Sequence, residues 1–393
     1  MENFDKIVEA CVGKLNKEEP FSTMGWGEIV DYLGIDYHPD NLRKGAYFLK
    51  KYHDYLQDEK MQSMSSDEIE KLNEKILELK KERVKFNDLR AEINRQARNQ
   101  ARYENLLELI ADSINKLNKN NPFYDKVITN YDLGNNKKEM IISLADIHYG
   151  LNVNDNWNVY NSDIAIERMD KIVNQAMNIG NLHNCKIVHL LVCGDILNNN
   201  IHLTSRLSNR ENVTSQIIGA SELLSNVIAK LSNKFNYVIV HLTSGNHDRI
   251  IPKKEDNDYD DNFINIIKEF IKIRTSQLSN VILDENDFGH DIVKFNVCGK
   301  TIIGTHGDKI PNNQAITRFS TMFGRVDYII QGHYHHNFIN SIGDSKVITI
   351  GSFSGSDRYA REKGLICRPT QKILILEDNC NDEIMYEIDL SNN

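Results

Sequence analysis

The sequence predicts an α/β protein whose C-terminal part is a sandwich, with sheets inside and helices outside, preceded by a helical half. Three observations predict it. Beyond residue 138 short apolar runs alternate with helical stretches, residues 66 to 119 hold neither proline nor glycine, and an asparagine-rich segment lies between the two regions.

A chain of 393 residues is long enough for two or three domains, and 40% hydrophobic with 26% charged residues describes a folded protein rather than a disordered one. The net charge of −9 speaks mildly against a nucleic-acid partner, but the sum hides an uneven distribution of basic residues. The start, MENFDKIVEACVG, lacks the basic-then-hydrophobic order of a signal peptide. No run approaches the roughly 18 apolar residues of a membrane span. The six cysteines are scattered without a CxxC pair, as reduced packing residues in a cytosol are. The expected location is therefore cytoplasmic, with no membrane partner.

Residues 1–60 read as a helix-turn-helix-like module. Trp26, Ile29, Val30 and Leu33 follow helical spacing, Gly34 stops that helix, and Pro39 suits the first turn of the next. The second helix carries Leu42, Ala46, Leu49, Tyr52 and Leu56 on one face and Arg43, Lys44, Tyr47, Lys50 and Lys51 on the other. Those five are candidate DNA contacts, weighed against a solvated basic face.

Residues 61–120 read as one or two long helices. Ile69, Leu72, Ile76 and Leu79, and later Leu107, Ile110, Ile114 and Leu117, fall on heptad a and d positions; Arg90, Arg95, Arg98 and Arg102 lie between them. The pattern fits a coiled-coil homodimer or an antiparallel hairpin. Residues 121–138 are the expected linker.

From 139 to 393 the apolar runs at 141–145, 187–192, 238–242, 302–304, 328–330, 347–350 and 373–376 read as strands, and 160–180, 213–232 and 259–276 as helices. Residues 351–362, "GSFSGSDRYARE", are either a substrate loop or a turn into a short helix with Tyr359 and Arg361. The end reads as a hairpin.

The polar residues that matter come directly after those strands. "ADIHYG" brings Asp146 and His148, "GDILNNN" Asp195 and Asn198, "SGNHDR" Asn246, His247, Asp248 and Arg249, "GTHGD" His306, and "QGHYHH" His333 and His335. Loops after strand C-termini are where α/β sheets build sites. A single Asp or His there is usually a cap or a satisfied core group; five clusters in order are not. Asp and His suit manganese, iron or zinc, and the absence of cysteine disfavours a structural zinc. Seven ligands (Asp146, His148, Asp195, Asn246, His306, His333, His335) suffice for two metals if one carboxylate bridges. Two ions about 3.5 to 4 Å apart clamp the oxygens of a phosphoryl displacement. His333 and His335, two apart on what reads as an extended segment, would face one side and His336 the other.

The ordered series D-x-H, G-D, G-N-H-D, H, G-H-x-H over residues 140–378 resembles the calcineurin-like metallophosphoesterase superfamily. The resemblance implies a four-layer αββα sandwich with two divalent ions, manganese first, at the strand ends. It implies that Asp146, His148 and His335 hold one metal and Asn246, His306 and His333 the other, with Asp195 bridging. His247 would protonate the leaving oxygen or stabilise the transferring phosphoryl group, Asp248 would orient His247, and Arg249 would touch phosphate. The nucleophile would be a hydroxide held by the metals. Many members have Asp or His where this chain has Asn198, which puts a substrate role at that position in doubt. The "GNHD" ending and the lack of G-D-x-V-D-R-G argue against the protein Ser/Thr phosphatase branch.

The N-terminal features together with this domain resemble SbcD-type exonucleases and phage- or prophage-encoded DNA exonuclease-like phosphoesterases. They make DNA the expected substrate. The alternative is a phosphodiesterase or phosphatase for a small nucleotide or other phosphoester, with the N-terminal half serving oligomerisation. SbcD-type nucleases use an ATPase partner, and no residue here speaks for or against one.

Overall fold

The computed structural model describes residues 2–63, 66–123, 138–254, 257 and 259–391. They form two compact units, Met1–Gln100 and Ala101–Asn393. The division falls inside a helix, not at the boundaries 60/61 and 120/121 that the sequence suggested.

The first unit contains α1 (Glu2–Asn16), α2 (Trp26–Leu33), α3 (Pro39–Ser63) and the start of α4 (Ser66–Asn120). Helix α1 lies in a stretch where sequence periodicity marked no helix. It packs on α2 and α3 through Ala10, Cys11, Phe21, Ile29, Val30, Leu42 and Ala46. The turn after α2 is made by Gly34, whose φ of 62° places it in the left-handed region that a helix C-terminus favours. The expected apolar stripe of α3 is buried only at its start: Leu42 and Ala46 are inside, whereas Tyr52 and Leu56 are exposed, because the small core ends there. Arg43, Lys44, Tyr47 and Lys51 are exposed and Lys50 is half-buried. Arg43 pairs with Asp40 at 3.2 Å.

Helix α4 is a single uninterrupted helix, so the hairpin alternative is set aside. Its two heptad stretches part company. Leu72, Ile76 and Leu79 are exposed, while Ile110 and Ile114 are buried in the main core of the second unit. Most of the expected linker, 124–137, lies outside the described residues.

The second unit is built on two sheets. The larger has six strands in the order β13 (Glu383–Asp389), β12 (Thr370–Glu377), β1 (Lys138–Leu144), β4 (Ile187–Cys193), β5 (Tyr237–Thr243), β6 (Val281–Leu283). Its last four are mutually parallel, and β12 closes antiparallel on β1. The smaller sheet has the order β10 (Phe338–Ile342), β11 (Ser345–Thr349), β9 (Tyr328–Gln331), β8 (Lys300–Thr305), β7 (Ile292–Val297). A short hairpin pairs β2 (Val153–Asn154) with β3 (Val159–Tyr160).

Alternation along the strands separates the layers. Ile302 and Ile330 point into the core between the sheets with Ile141, Leu191, Phe295 and Leu374; Ile303 and Ile329 point to the other face, under α9 (Asn312–Phe323). The free face of the larger sheet is covered by α5 (Ser162–Leu182), α7 (Val213–Ser232) and α8 (Phe263–Arg274). The result is helix, sheet, sheet, helix. Two short helices, α6 (Leu203–Ser208) and α10 (Arg358–Glu362), lie in loops.

Candidate metal centre

Parallel strands β1, β4, β5, β8 and β9 all end at one edge of the sandwich, and the five polar clusters lie just beyond them there. The backbone turns sharply at this edge. Asp146, His148, Asp195, His333 and His335 all have positive φ, between 45° and 71°. Such values in residues with a Cβ are costly and persist where surrounding structure enforces them. They also correct the extended reading of the 333–335 segment. His333 and His335 converge through left-handed turns, and His336 is exposed with its Nδ1 on the Tyr334 carbonyl.

Asp195 stands at the centre. Its Oδ2 is 3.8 Å from His148 Nε2 and 3.2 Å from His306 Nε2, so one oxygen serves both sides. On the first side His335 Nε2 is 3.3 Å from Asp146 Oδ1 and 3.3 Å from His148 Nε2. On the second, His306 Nε2 is 3.0 Å from Asn246 Oδ1 and 3.2 Å from His333 Nδ1. All seven sequence-predicted ligands therefore meet. Asp146, His148 and His335 form one set of compatible donors, Asp195, His306 and His333 another, and His148 and Asp195 form a third with His247.

The donor set fits divalent cations. Among the described residues, the ion-pair partners of Asp146 and Asp195, both buried, are all histidines. Imidazole nitrogens face one another across 3.2 and 3.3 Å, an arrangement of lone pairs that a cation completes. Burial would raise the Asp195 carboxyl, but His306 and His247 outweigh it and hold it well below the usual range. Burial pulls His306 down, yet Asp195 and Asp146 prevail and lift it to about 10. Without metal, protons on histidine supply the positive charge that these carboxylates demand. His306 is also aimed: its Nδ1–H donates to the Cys193 carbonyl at 2.8 Å, leaving Nε2 free for a ligand.

His247 sits beside the cluster, its ring 4.8 Å from that of His148. Its backbone N–H donates to Asp195 Oδ1 at 2.7 Å, and its Nδ1–H to the Asn198 carbonyl at 3.0 Å. A carbonyl only accepts, so Nδ1 carries the proton and Nε2 is left as the acceptor.

Two expectations are corrected here. Asp248 does not hold the His247 ring: its Oδ1 accepts from Ile196 and Leu197 N–H, its Oδ2 from Gly245 N–H at 2.7 Å, and burial beside Asp195 pushes it up to about 7. A buried carboxylate takes the three backbone donors within reach, and it thereby ties two motif loops together. Arg249 lends its guanidinium to backbone carbonyls, among them Ile251 at 3.2 Å and Pro252 at 2.8 Å, which brace its own loop. Asn198 is buried with its side chain on Asn209, so its backbone carbonyl is what reaches the site.

The glycines in the motifs are required by proximity. A Cβ on Gly245 would overlap Asp195 Oδ1 and the Asp195 backbone nitrogen, and one on Gly332 would press on Ala145 and Asp146.

Three supports left no mark in the sequence motifs. Gln371 on β12 accepts from Ala145 N–H at 2.7 Å and donates to the Gly351 carbonyl at 2.7 Å, bracing the chain just before Asp146. Buried Arg168 on α5 donates to the Phe353 and Ser354 carbonyls, and Ser354 N–H donates to the Asp146 carbonyl. Residues 351–356 are thus buried against the chain that carries Asp146, and among the described residues the exposed positions of the 351–362 segment are Arg358, Arg361 and Glu362. His202 lies with its ring 5.5 Å from that of His247, and burial, His247 and Arg249 pull its imidazole below the ordinary value. Its only sequence signal was a position just past the "GDILNNN" loop.

Among solved structures the chain is similar to a novel archaeal phosphodiesterase, at 19% identity over 63% of this chain and 99% of that one, with a TM-score of 0.32. It is similar to Vacuolar Protein Sorting 29 from Cryptosporidium parvum at 12% identity, over 64% of this chain and 99% of that one, with a TM-score of 0.32. Among curated proteins it is similar to the SPbeta prophage-derived protein YonJ of Bacillus subtilis (strain 168), 23% identical over 357 residues, 86% of this chain and 85% of that protein. The family model of the YonJ coiled-coil domain matches residues 75–117, inside α4. Among the described residues no helix is long and apolar enough to cross a membrane.

Proposed function

We propose that the protein is a dinuclear-metal phosphodiesterase that cleaves DNA. The observation that carries the hydrolytic reading is the two ligand sets on either side of Asp195, whose Oδ2 lies 3.8 Å from His148 and 3.2 Å from His306, with His247 alongside in a defined tautomer. Asp146, His148 and His335 would hold one ion, Asn246, His306 and His333 the other, and Asp195 both. Two divalent ions, manganese by preference, supply Lewis-acid polarisation of a phosphoryl oxygen and activation of water.

The chain's own residues do the rest. His306 is turned to its task by the Cys193 carbonyl and His247 by the Asn198 carbonyl. With Nδ1–H held by the Asn198 carbonyl, His247 presents Nε2 as a proton acceptor, and once protonated there it can donate a hydrogen bond to a phosphoryl oxygen and hand that proton to the leaving oxygen. Asp248 keeps the loops of Asp195 and His247 in register through its three backbone bonds.

DNA is favoured by the basic face of α3 (Arg43, Lys44, Tyr47, Lys50, Lys51) in a small separate helical unit, a feature without use for a small nucleotide. The exposed leucines and isoleucine of α4 at 72, 76 and 79 further support pairing with a second copy of the chain.

The test is hydrolysis by metal-stripped protein re-supplied with manganese, on end-labelled single- and double-stranded DNA, cyclic nucleotides and a simple aryl phosphodiester. Degradation of DNA that His247→Ala and Asp195→Asn both abolish supports the nuclease. Hydrolysis of small diesters with DNA left intact would transfer the site to the small-nucleotide alternative, and an inert wild type would refute both.

A further inference from the structure

We infer that α6 and its cap form a lip that holds the phosphate next to the scissile one, so that the preferred substrate is a polynucleotide and not a lone phosphodiester. The inference rests on the phosphodiesterase reading of the adjoining centre.

The histidines His148, His247 and His202 stand in a row. The first belongs to the ligand set, the second contacts it edge-on at 4.8 Å, and the third contacts the second edge-on at 5.5 Å. His202 is thus one ring further out than the group that serves the reacting phosphoryl, and its side is open to solvent. A monoester or a single small diester is spent before it reaches that far. A chain that continues past the scissile linkage passes over it.

The residues just after His202 suit such a chain. His202 begins α6, and the Arg206 N–H donates to its carbonyl at 3.0 Å. Arg206 therefore lies one turn into the helix that His202 caps. Among the described residues no hydrogen bond or ion pair engages the Arg206 guanidinium, and the side chain is exposed. Arg210, one turn further on, is by contrast paired with Asp163 at 2.9 Å. An uncommitted, exposed guanidinium one turn along the helix that begins at an exposed imidazole is a phosphate contact in waiting, and guanidinium binds phosphate with a matched pair of donors. Leu203 and Leu207 are 63% and 76% exposed on the same short helix, apolar surface on which sugar and base can rest.

The helix is anchored where it must be for this task. Asn209, at its end, accepts from Asn198 Nδ2 at 2.7 Å and donates to the Asn199 carbonyl, and Asn199 holds the His247 and Arg249 carbonyls. The lip is therefore tied to the loop that positions His247.

The experiment compares kcat/KM for the p-nitrophenyl ester of thymidine 5′-monophosphate, which has one phosphate, with that for an oligothymidylate, in wild type, His202→Ala and Arg206→Ala with manganese. The expected result is a fall of about tenfold in the preference for the oligonucleotide over the ester in each variant, about what one lost charged contact removes. In Arg206→Ala the dependence of oligonucleotide kcat/KM on salt should also become shallower by about 0.7 in log–log slope, the share of one phosphate contact on a single strand. A preference ratio equal to that of wild type, whether both activities fall or neither does, overturns the lip. Wild-type hydrolysis of the ester alone also overturns it but leaves the phosphodiesterase standing, whereas hydrolysis of neither removes the reading beneath it.

Discussion

His247 donates its Nδ1–H to the backbone carbonyl of Asn198, at 3.0 Å, and the Asn198 side chain takes no part in that bond. Asn198, where the resemblance leads one to expect Asp or His, therefore acts through an atom that every residue possesses. Asn198→Ala should keep activity within about tenfold, losing only the side-chain bond to Asn209. His247→Ala should lower kcat by about 10² to 10⁴. Steady-state rates with metal content measured in parallel check both, and equal losses in the two variants would refute the backbone account.

Asp195 Oδ2 lies between the two donor sets, 3.8 Å from His148 Nε2 and 3.2 Å from His306 Nε2, and on the proposed reading it bridges two ions. Asp195→Asn should reduce bound metal by at least one ion per chain and remove the rise in melting temperature on manganese addition, since a neutral amide offers neither charge nor a bridge. Elemental analysis of the dialysed protein is the measurement. Two ions retained in the variant would show that Asp195 does not bridge.

Gly245→Ala places a methyl group on the Asp195 carboxylate and backbone. Because both sides of that contact are loops locked by Asp248, neither yields cheaply. A loss of more than about 2 kcal/mol in urea unfolding, with loss of manganese binding, is expected. A stable variant with full metal content would mean the loops have slack.

Between the sheets, His241 hydrogen-bonds His189 at 3.0 Å and Asp284 at 2.6 Å, and stacks on Phe295. Burial depresses the His241 imidazole below its ordinary value, against the opposing pull of Asp284 and with help from His189. The unfolded chain then takes up a proton near pH 6.5 that the folded chain refuses, so this histidine withdraws stability as pH falls below that point. Burial would raise Asp284, but its bond to His241 dominates and lowers it; its contribution is present above about pH 4 and is lost below. Both signs agree. The urea midpoint should drop between pH 7 and pH 5, and less steeply in His241→Gln; parallel slopes in the two proteins would exclude His241 as the source.

The centre was legible in the sequence because its chemistry is local in the chain: each Asp or His comes after an apolar run and sits by a glycine that permits close approach. The strands bearing them were legible for the same reason, since buried parallel strands are continuous apolar runs. Edge strands β7 and β10 were not, being half polar, and α9 hid because only Ala315, Ile316 and Phe319 are buried on it. Contacts that depend on distant partners left no local trace. Nothing in the Gln371 segment announces Ala145, and nothing near Asp248 tells that its carboxylate serves backbone N–H groups and not its neighbour's ring. The α3 stripe misled in the opposite sense, since periodicity promises a buried face and only a partner can supply one.

The bond from Gln371 to Ala145 joins residues 226 positions apart. During synthesis at about 5 to 20 residues per second, the loop of Asp146 emerges roughly 10 to 50 seconds before the glutamine that braces it exists. On the proposed reading, the brace before Asp146 is among the last parts of the site to be made, so a product cut short before β12 would carry the ligands without the glutamine that supports them.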